Sequence, residues 1–92
     1  MSSSAKFASV WDALEDDPIR AENFKLRSEL MIKIVEQLNS LGLTQQQAAT
    51  MLHTNQPRIC ALLNGKIERF RLDSLVDMAN RLGLSVSIRV AA

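Results

Sequence analysis

Apolar positions along the chain mark out helical stretches and one alternating stretch. From residue 18 to residue 41, apolar side chains recur at intervals of three and four, which predicts a long amphipathic helix. Asp17 and Pro18 are typical of a helix start, and Gly42 is typical of a helix end. The same spacing from Leu72 to Leu82 predicts a last helix.

Two short helices are predicted between these long ones, over residues 44–66. Thr44 and Gln47 have the spacing of a capping box, which starts the first short helix. Asn55 and Pro57 are typical of the start of the second, and Gly65 follows its end. Two short helices joined by a tight turn form a helix-turn-helix.

The second short helix has a polar side that faces away from its apolar stripe. We assign Ile59, Leu62 and Leu63 to the stripe. Amide and guanidinium side chains read base edges in the major groove, so the outward residues are candidate base contacts. The alternative is a solvated polar face without function. The candidate base-binding residues are Asn55, Gln56, Arg58 and Ala61.

The distribution of charge supports binding to nucleic acid more than the total does. The chain has a formal net charge of only +1. Residues 44–71 hold four cations and one anion, whereas residues 1–22 hold two cations and five anions. Clustered cations suit phosphate contacts, which we predict for Lys66, Arg69 and Arg71.

An acidic N-terminal arm, residues 1–17, precedes the main domain, residues 18–92. Its apolar residues recur at helical spacing, which predicts about two turns of amphipathic helix. We favour the interpretation that this helix caps the core of its own chain. The alternative is an arm that docks on a partner protein. The apolar residues of the arm are Phe7, Val10, Trp11 and Leu14.

The last segment, residues 84–90, alternates strictly between apolar and polar side chains, which predicts a half-buried β-strand. No other stretch of the chain alternates, so the strand lacks a partner in its own molecule. Antiparallel pairing with a second copy solves this problem and predicts a homodimer. The dimerisation residues are then Leu84, Val86, Ile88 and Val90.

Several classes of function are disfavoured. The chain has no apolar run long enough to cross a bilayer and no secretory signal, so we expect a cytoplasmic protein without membrane contact. Its one cysteine, Cys60, excludes an internal disulfide, and we interpret it as a small packing residue. No set of residues suggests an enzyme, a metal site or another cofactor.

Ordered sequence blocks carry a resemblance to a known family. Residues 44–66 resemble the Cro/C1-type helix-turn-helix of phage repressors and xenobiotic-response-element regulators. With the flanking blocks VWDAL, AENFKLRSELM, LLNGKIERFRLDSLV and LGLSVSI, the chain is similar to HigA-like antitoxins. The resemblance implies an all-α, five-helix lambda-repressor-like domain with a short C-terminal β-strand that pairs across a dimer.

The resemblance also implies roles for individual residues. Gln45, at the start of the first short helix, would touch a DNA phosphate, and Thr54 in the turn is assigned the same role. Three positions depart from the family pattern, and one of them is Cys60, which replaces a common Ser. His53 replaces a usual glycine, so we expect a left-handed residue there. Arg71 replaces a usual Ser or Thr cap of the last helix.

Together these features predict a sequence-specific DNA-binding transcriptional regulator. It would repress its own operon by binding double-stranded DNA at a palindromic operator as a homodimer. The alternative is an antitoxin or adaptor whose main role is to bind and neutralise a cognate toxin protein. Substitution of Gln56 or Arg58 would then matter less than substitution of Trp11.

Overall fold

A computed structural model describes residues 17–92 of the chain as four α-helices and one 3₁₀ turn. The helical class is therefore as predicted. The further helix predicted for residues 7–14, and the division of the chain at residue 17, concern an arm that lies outside the described residues. The elements are α1, Pro18–Leu41; α2, Gln45–Met51; α3, Gln56–Leu63; the 3₁₀ turn Ile67–Arg69; and α4, Leu72–Arg81.

Helix α1 begins and ends where the sequence predicts. The Asp17 carboxylate accepts hydrogen bonds from the backbone N–H groups of Ile19 and Arg20, at 3.2 Å each. Pro18 occupies the first helical position, where its missing N–H costs nothing. Gly42 ends the helix with a φ of 65°, a left-handed conformation that suits glycine.

Helices α1 and α4 pack together as the frame of the domain. The buried face of α1 includes Met31 and Ile34, and that of α4 includes Leu75 and Ala79. At the far end of the frame, Nε2 of Gln37 donates a hydrogen bond to the Leu82 carbonyl at 3.1 Å. The frame supports α2 and α3, which pack against one another on its side.

One hydrophobic core joins all of these elements. The 3₁₀ turn contributes Ile67, and Phe70 follows directly after it. Burial of such large side chains is the main favourable term in folding. The buried members of the core are Phe24, Met31, Ile34, Leu38, Ala48, Ala49, Leu52, Ile59, Ala61, Leu62, Ile67, Phe70, Leu75, Met78, Ala79 and Leu82.

The segment after Gly83 forms no strand in the described part of this single chain. Leu84 and Val86 are half-buried against the core, whereas Ile88 and Val90 are 82% and 87% exposed. The predicted strand pairs with a second copy, so a single chain does not test it. The strand and the dimer therefore stay predictions.

Candidate nucleic-acid interface

Helix α2 starts with the predicted capping box. Oγ1 of Thr44 accepts the Gln47 backbone N–H at 3.1 Å, and Oε1 of Gln47 accepts the Thr44 N–H at 2.9 Å. This exchange uses the Gln47 side chain and leaves that of Gln45 exposed at the first position of the helix. The small residues Ala48 and Ala49 follow one turn later and are buried, where they let α3 approach closely.

The turn between α2 and α3 contains the left-handed residue that the sequence predicts. His53 has a φ of 55°, the only positive φ of a non-glycine residue within residues 17–92. This conformation costs an L-residue roughly 1–2 kcal/mol. The Thr54 N–H donates to the Ala49 carbonyl at 2.9 Å, which closes the turn and leaves Thr54 half-buried at its edge.

Helix α3 begins at a side-chain cap, as predicted. Oδ1 of Asn55 accepts the Arg58 backbone N–H at 2.9 Å, so only the Nδ2 donors of this amide remain for a ligand. The next residue, Gln56, is exposed, and its side chain has no hydrogen-bond partner in the described part of the chain. Gln56 therefore presents both its donor and its acceptor to solvent.

The outward side of α3 differs from the predicted one. Ala61 is only 8% exposed and belongs to the core, so the prediction that it faces a DNA groove is wrong. The exposed residues that follow Gln56 at four-residue spacing are Cys60 and Asn64. Cys60 is thus a surface residue, and its interpretation as a packing residue is also wrong.

Arg58 points away from this outward side. At about 100° per residue, it lies on roughly the opposite side of α3 from Gln56. Its guanidinium stacks on the Phe70 ring, 4.4 Å from the ring centroid, and its Nη1 donates to the Arg69 carbonyl at 2.9 Å. These contacts hold the segment after α3 in place. The base contact of Arg58 stays a prediction, and these contacts favour a positioning role for this side chain instead.

The three predicted phosphate-binding cations after α3 are all exposed. Lys66 and Arg69 make no ion pair with any described residue, whereas Nε of Arg71 lies 3.7 Å from Oδ1 of Asp73 on the surface. Arg71 is also the N-cap residue of α4 and provides no side-chain cap, as its type predicts. The exposed cations thus form a basic edge next to α3, which we define as Lys66, Arg69 and Arg71.

A partly buried contact from α1 positions this basic edge. Nη1 of Arg27 donates to the carbonyls of Ile67 and Phe70, at 3.2 Å each. In the sequence, Arg27 lies on the apolar face of α1. A cation on such a face indicates a contact inside the protein, and Arg27 could have been identified from the sequence in this way. Together with Arg58, it fixes the backbone that carries the basic edge.

The result is an exposed amide at the start of a short helix, flanked by a turn and a fixed basic edge. Amides pair with adenine in the major groove, and cations contact phosphates. No group of His, Cys, Asp and Glu within residues 17–92 could hold a metal ion. None of the helices described is long and apolar enough to cross a membrane.

The fold and this surface define a helix-turn-helix domain, the class of DNA-binding domain whose second helix enters the major groove. The chain belongs to the family of helix-turn-helix domains, which matches residues 13–91. Domains of this family are typically not enzymes. A comparison with curated proteins found no match.

Proposed function

We propose that this protein is a sequence-specific transcriptional regulator that represses its own operon. It binds a palindromic operator in double-stranded DNA as a homodimer, without a cofactor. The observation that carries this proposal is the free, exposed amide of Gln56 at the start of α3, beside the basic edge. The N-terminal residues of a recognition helix are the ones that reach base edges.

The proposed contacts fall into two groups. Gln56 reads a base, with adenine as its natural partner, and Asn55 adds a donor from Nδ2. The second group contacts phosphates and fixes the position of α3 without reading sequence. It consists of Gln45, Thr54, Lys66, Arg69 and Arg71.

The proposed dimer forms through residues 84–90 of two copies. Leu84 and Val86 pack on the core, and Ile88 and Val90 continue the same alternating face beyond its edge, where they are exposed. Antiparallel pairing of the two segments would satisfy their backbone groups and cover these side chains. The twofold axis would then place two α3 helices on two half-sites.

Binding to the protein's own promoter tests the DNA-binding role. Fluorescence anisotropy should show tight binding to one palindromic segment that weakens as salt rises. Gln56→Ala should cost about 1–3 kcal/mol, or about 5- to 160-fold in Kd. Asn39→Ala removes an exposed amide from α1 and is the matched control, with no expected effect. Weak binding that is indifferent to sequence and to Gln56 would overturn the proposal.

Sedimentation of two aspartate variants tests the dimer. Ile88→Asp places a charge on the proposed pairing face, and we expect it to convert the dimer to a monomer. Ser87→Asp adds the same charge one residue earlier, on the opposite face, and should leave the dimer intact. A wild-type monomer at micromolar concentration, or equal effects of the two variants, would contradict pairing through this segment.

The antitoxin alternative makes a different prediction for the same variant. If neutralisation of a toxin were the main role, Gln56→Ala would leave growth protection in cells intact while it abolished promoter binding. Under the repressor proposal, the essential activity and promoter binding are lost together. A growth assay distinguishes these outcomes when it is run beside a reporter gene behind the protein's own promoter, which confirms that promoter binding is lost.

A further inference from the structure

A cleft lies on the surface between α1 and the segment that follows α3. Its volume is about 750 Å³, and it is separate from the outward side of α3. Leu72 and Val76 of α4 line the cleft and are half-buried. Phe70, which precedes α4, also lines it and is buried. The remaining lining residues are Asn23, Arg27, Glu68, Arg71 and Asp73.

One residue that lines this cleft, Arg27, has a buried hydrogen-bond donor without a partner among the described residues. Nε of Arg27 is buried and has no hydrogen-bond partner within residues 17–92, although Nη1 of the same side chain donates to two carbonyls. Nearly all buried polar groups in folded proteins have a partner. An acceptor that enters the cleft would complete the hydrogen bonding of Arg27.

An exposed apolar stripe on α1 continues from the cleft. Ile19, Asn23 and Leu26 follow one another at spacings of four and three, which places them on one side of the helix. Ile19 is exposed and Leu26 is 46% exposed, and Asn23 between them is a cleft residue. The stripe and the cleft therefore form one continuous surface with an apolar part and a polar wall.

The N-terminal arm of the same chain is suited to cover this surface. Residues 1–16 join α1 at Asp17, and Asn23 lies only about 9 Å further along the helix axis. The apolar residues Phe7, Val10, Trp11 and Leu14 recur at helical spacing, and the same segment holds Asp12, Glu15 and Asp16, whose carboxylates are hydrogen-bond acceptors. The family match begins at residue 13, so it includes part of this arm.

We infer that the apolar face of residues 7–14 binds intramolecularly in the cleft formed by Arg27, Phe70, Leu72 and Val76 and on the adjoining stripe of α1. A direct connection to α1 gives the arm a high effective concentration at the cleft, which favours it over the arm of a second copy. The inference goes beyond the proposed function because it does not involve α3 or a base contact, although Arg71 at the rim of the cleft also belongs to the basic edge.

Trp11 is the only tryptophan of the chain, so its fluorescence reports on the arm directly. In the full-length protein we expect a blue-shifted emission and several-fold weaker acrylamide quenching than in the urea-unfolded chain. Both properties should persist on dilution below the concentration at which the protein becomes monomeric. Equal quenching in the folded and unfolded chains would overturn the inference, and so would loss of protection on dilution, which would indicate a second copy as the site.

Substitutions locate the binding site of the arm. Val76→Glu in the cleft and Leu26→Glu on the stripe should each shift the emission to the red and raise quenching towards the unfolded value, with the helical circular dichroism of the domain retained. Ile32→Glu is the matched control, because Ile32 is similarly exposed at 39% but lies about 120° around α1 from Leu26.

The control should leave the emission unchanged. If Val76→Glu prevents folding, Leu26→Glu still tests the inference, since Leu26 lies on the surface of α1. Folded Leu26→Glu protein with a fully protected Trp11 would show that the arm does not lie on this surface.

Discussion

The segment from Lys66 to Arg71 has cationic side chains on two sides, and they have different roles. Those on its inner side bind the backbone of the segment, and those on its outer side are exposed to solvent. On the inner side, Arg27 and Arg58 donate to backbone carbonyls of the segment, and Arg58 also stacks on Phe70. On the outer side, Lys66 and Arg69 are exposed and make no ion pair with the residues described. The same residue types thus build the surface on one side and remain available for a ligand on the other.

This difference separates two kinds of substitution. Removal of an inner cation should lower the free energy of unfolding, because it leaves carbonyls and an aromatic ring without their partners. Removal of an outer cation should change DNA binding alone. The following variants test this separation, from the largest expected effect to the smallest.

Phe70→Ala should have the largest effect. Phe70 is buried in the core and carries the guanidinium of Arg58, so its truncation should cost about 3–5 kcal/mol in the free energy of unfolding. The neighbouring Arg69→Ala is the control and should change stability by no more than about 0.5 kcal/mol. Urea titration monitored by circular dichroism measures both, and similar losses would contradict the separation.

Arg58→Ala should have an intermediate effect on stability. It removes a charged hydrogen bond to a carbonyl, typically about 1.5–3 kcal/mol, and a cation–π contact of about 0.5–1 kcal/mol at an exposed site. Because Arg58 is only half-buried, we expect a total near the lower limit of this sum, about 2 kcal/mol. Arg58→Lys should recover little of this, since an ammonium lacks the planar stacking surface of a guanidinium. Unchanged stability in Arg58→Ala would refute the positioning role.

Lys66→Ala should change the salt dependence of DNA binding but not the fold. Each phosphate contact contributes about 0.9 to the slope of log K against log salt, so the variant should reduce the slope by about that amount. Lys33→Ala is the matched control, because Lys33 is an exposed lysine of α1 that pairs with Glu36 at 3.6 Å. Equal slopes in the two variants would remove Lys66 from the proposed phosphate contacts.

His53→Gly should have the smallest effect and should stabilise the protein. Glycine removes the left-handed strain of roughly 1–2 kcal/mol, but it loses about 0.5–1 kcal/mol more entropy on folding. The free energy of unfolding should therefore rise by up to about 1.5 kcal/mol. Destabilisation would show that the His53 side chain makes a favourable contact in the folded protein.

The caps and helix bounds could be predicted from the sequence because they depend on local chemistry. Asp17, Thr44 and Asn55 each accept a backbone N–H within three residues, so near neighbours decide the outcome. The left-handed conformation of His53 is expected only from the family resemblance, in which glycine is usual at this position of the turn. Such features need no knowledge of how the helices pack.

The exposed side of α3 could not be predicted in the same way, because packing against other elements sets the rotation of a helix about its axis. We included Leu63 in the buried stripe and left Ala61 outside it. In the structure Leu63 is only half-buried and Ala61 is buried, so the exposed side moves towards Cys60. The carbonyls that engage Arg58 and Arg27 are 11 and at least 40 residues away in sequence, beyond any local pattern.

The central claim is that Gln56 reads bases and Arg58 builds the surface, and one measurement on both alanine variants tests it. Specificity is measured as the Kd for a scrambled duplex divided by the Kd for the operator. Both variants are compared at the same concentration of folded protein. Gln56→Ala should reduce the ratio by about 5- to 160-fold, and Arg58→Ala should leave it unchanged. A ratio that falls in Arg58→Ala and persists in Gln56→Ala would contradict the account.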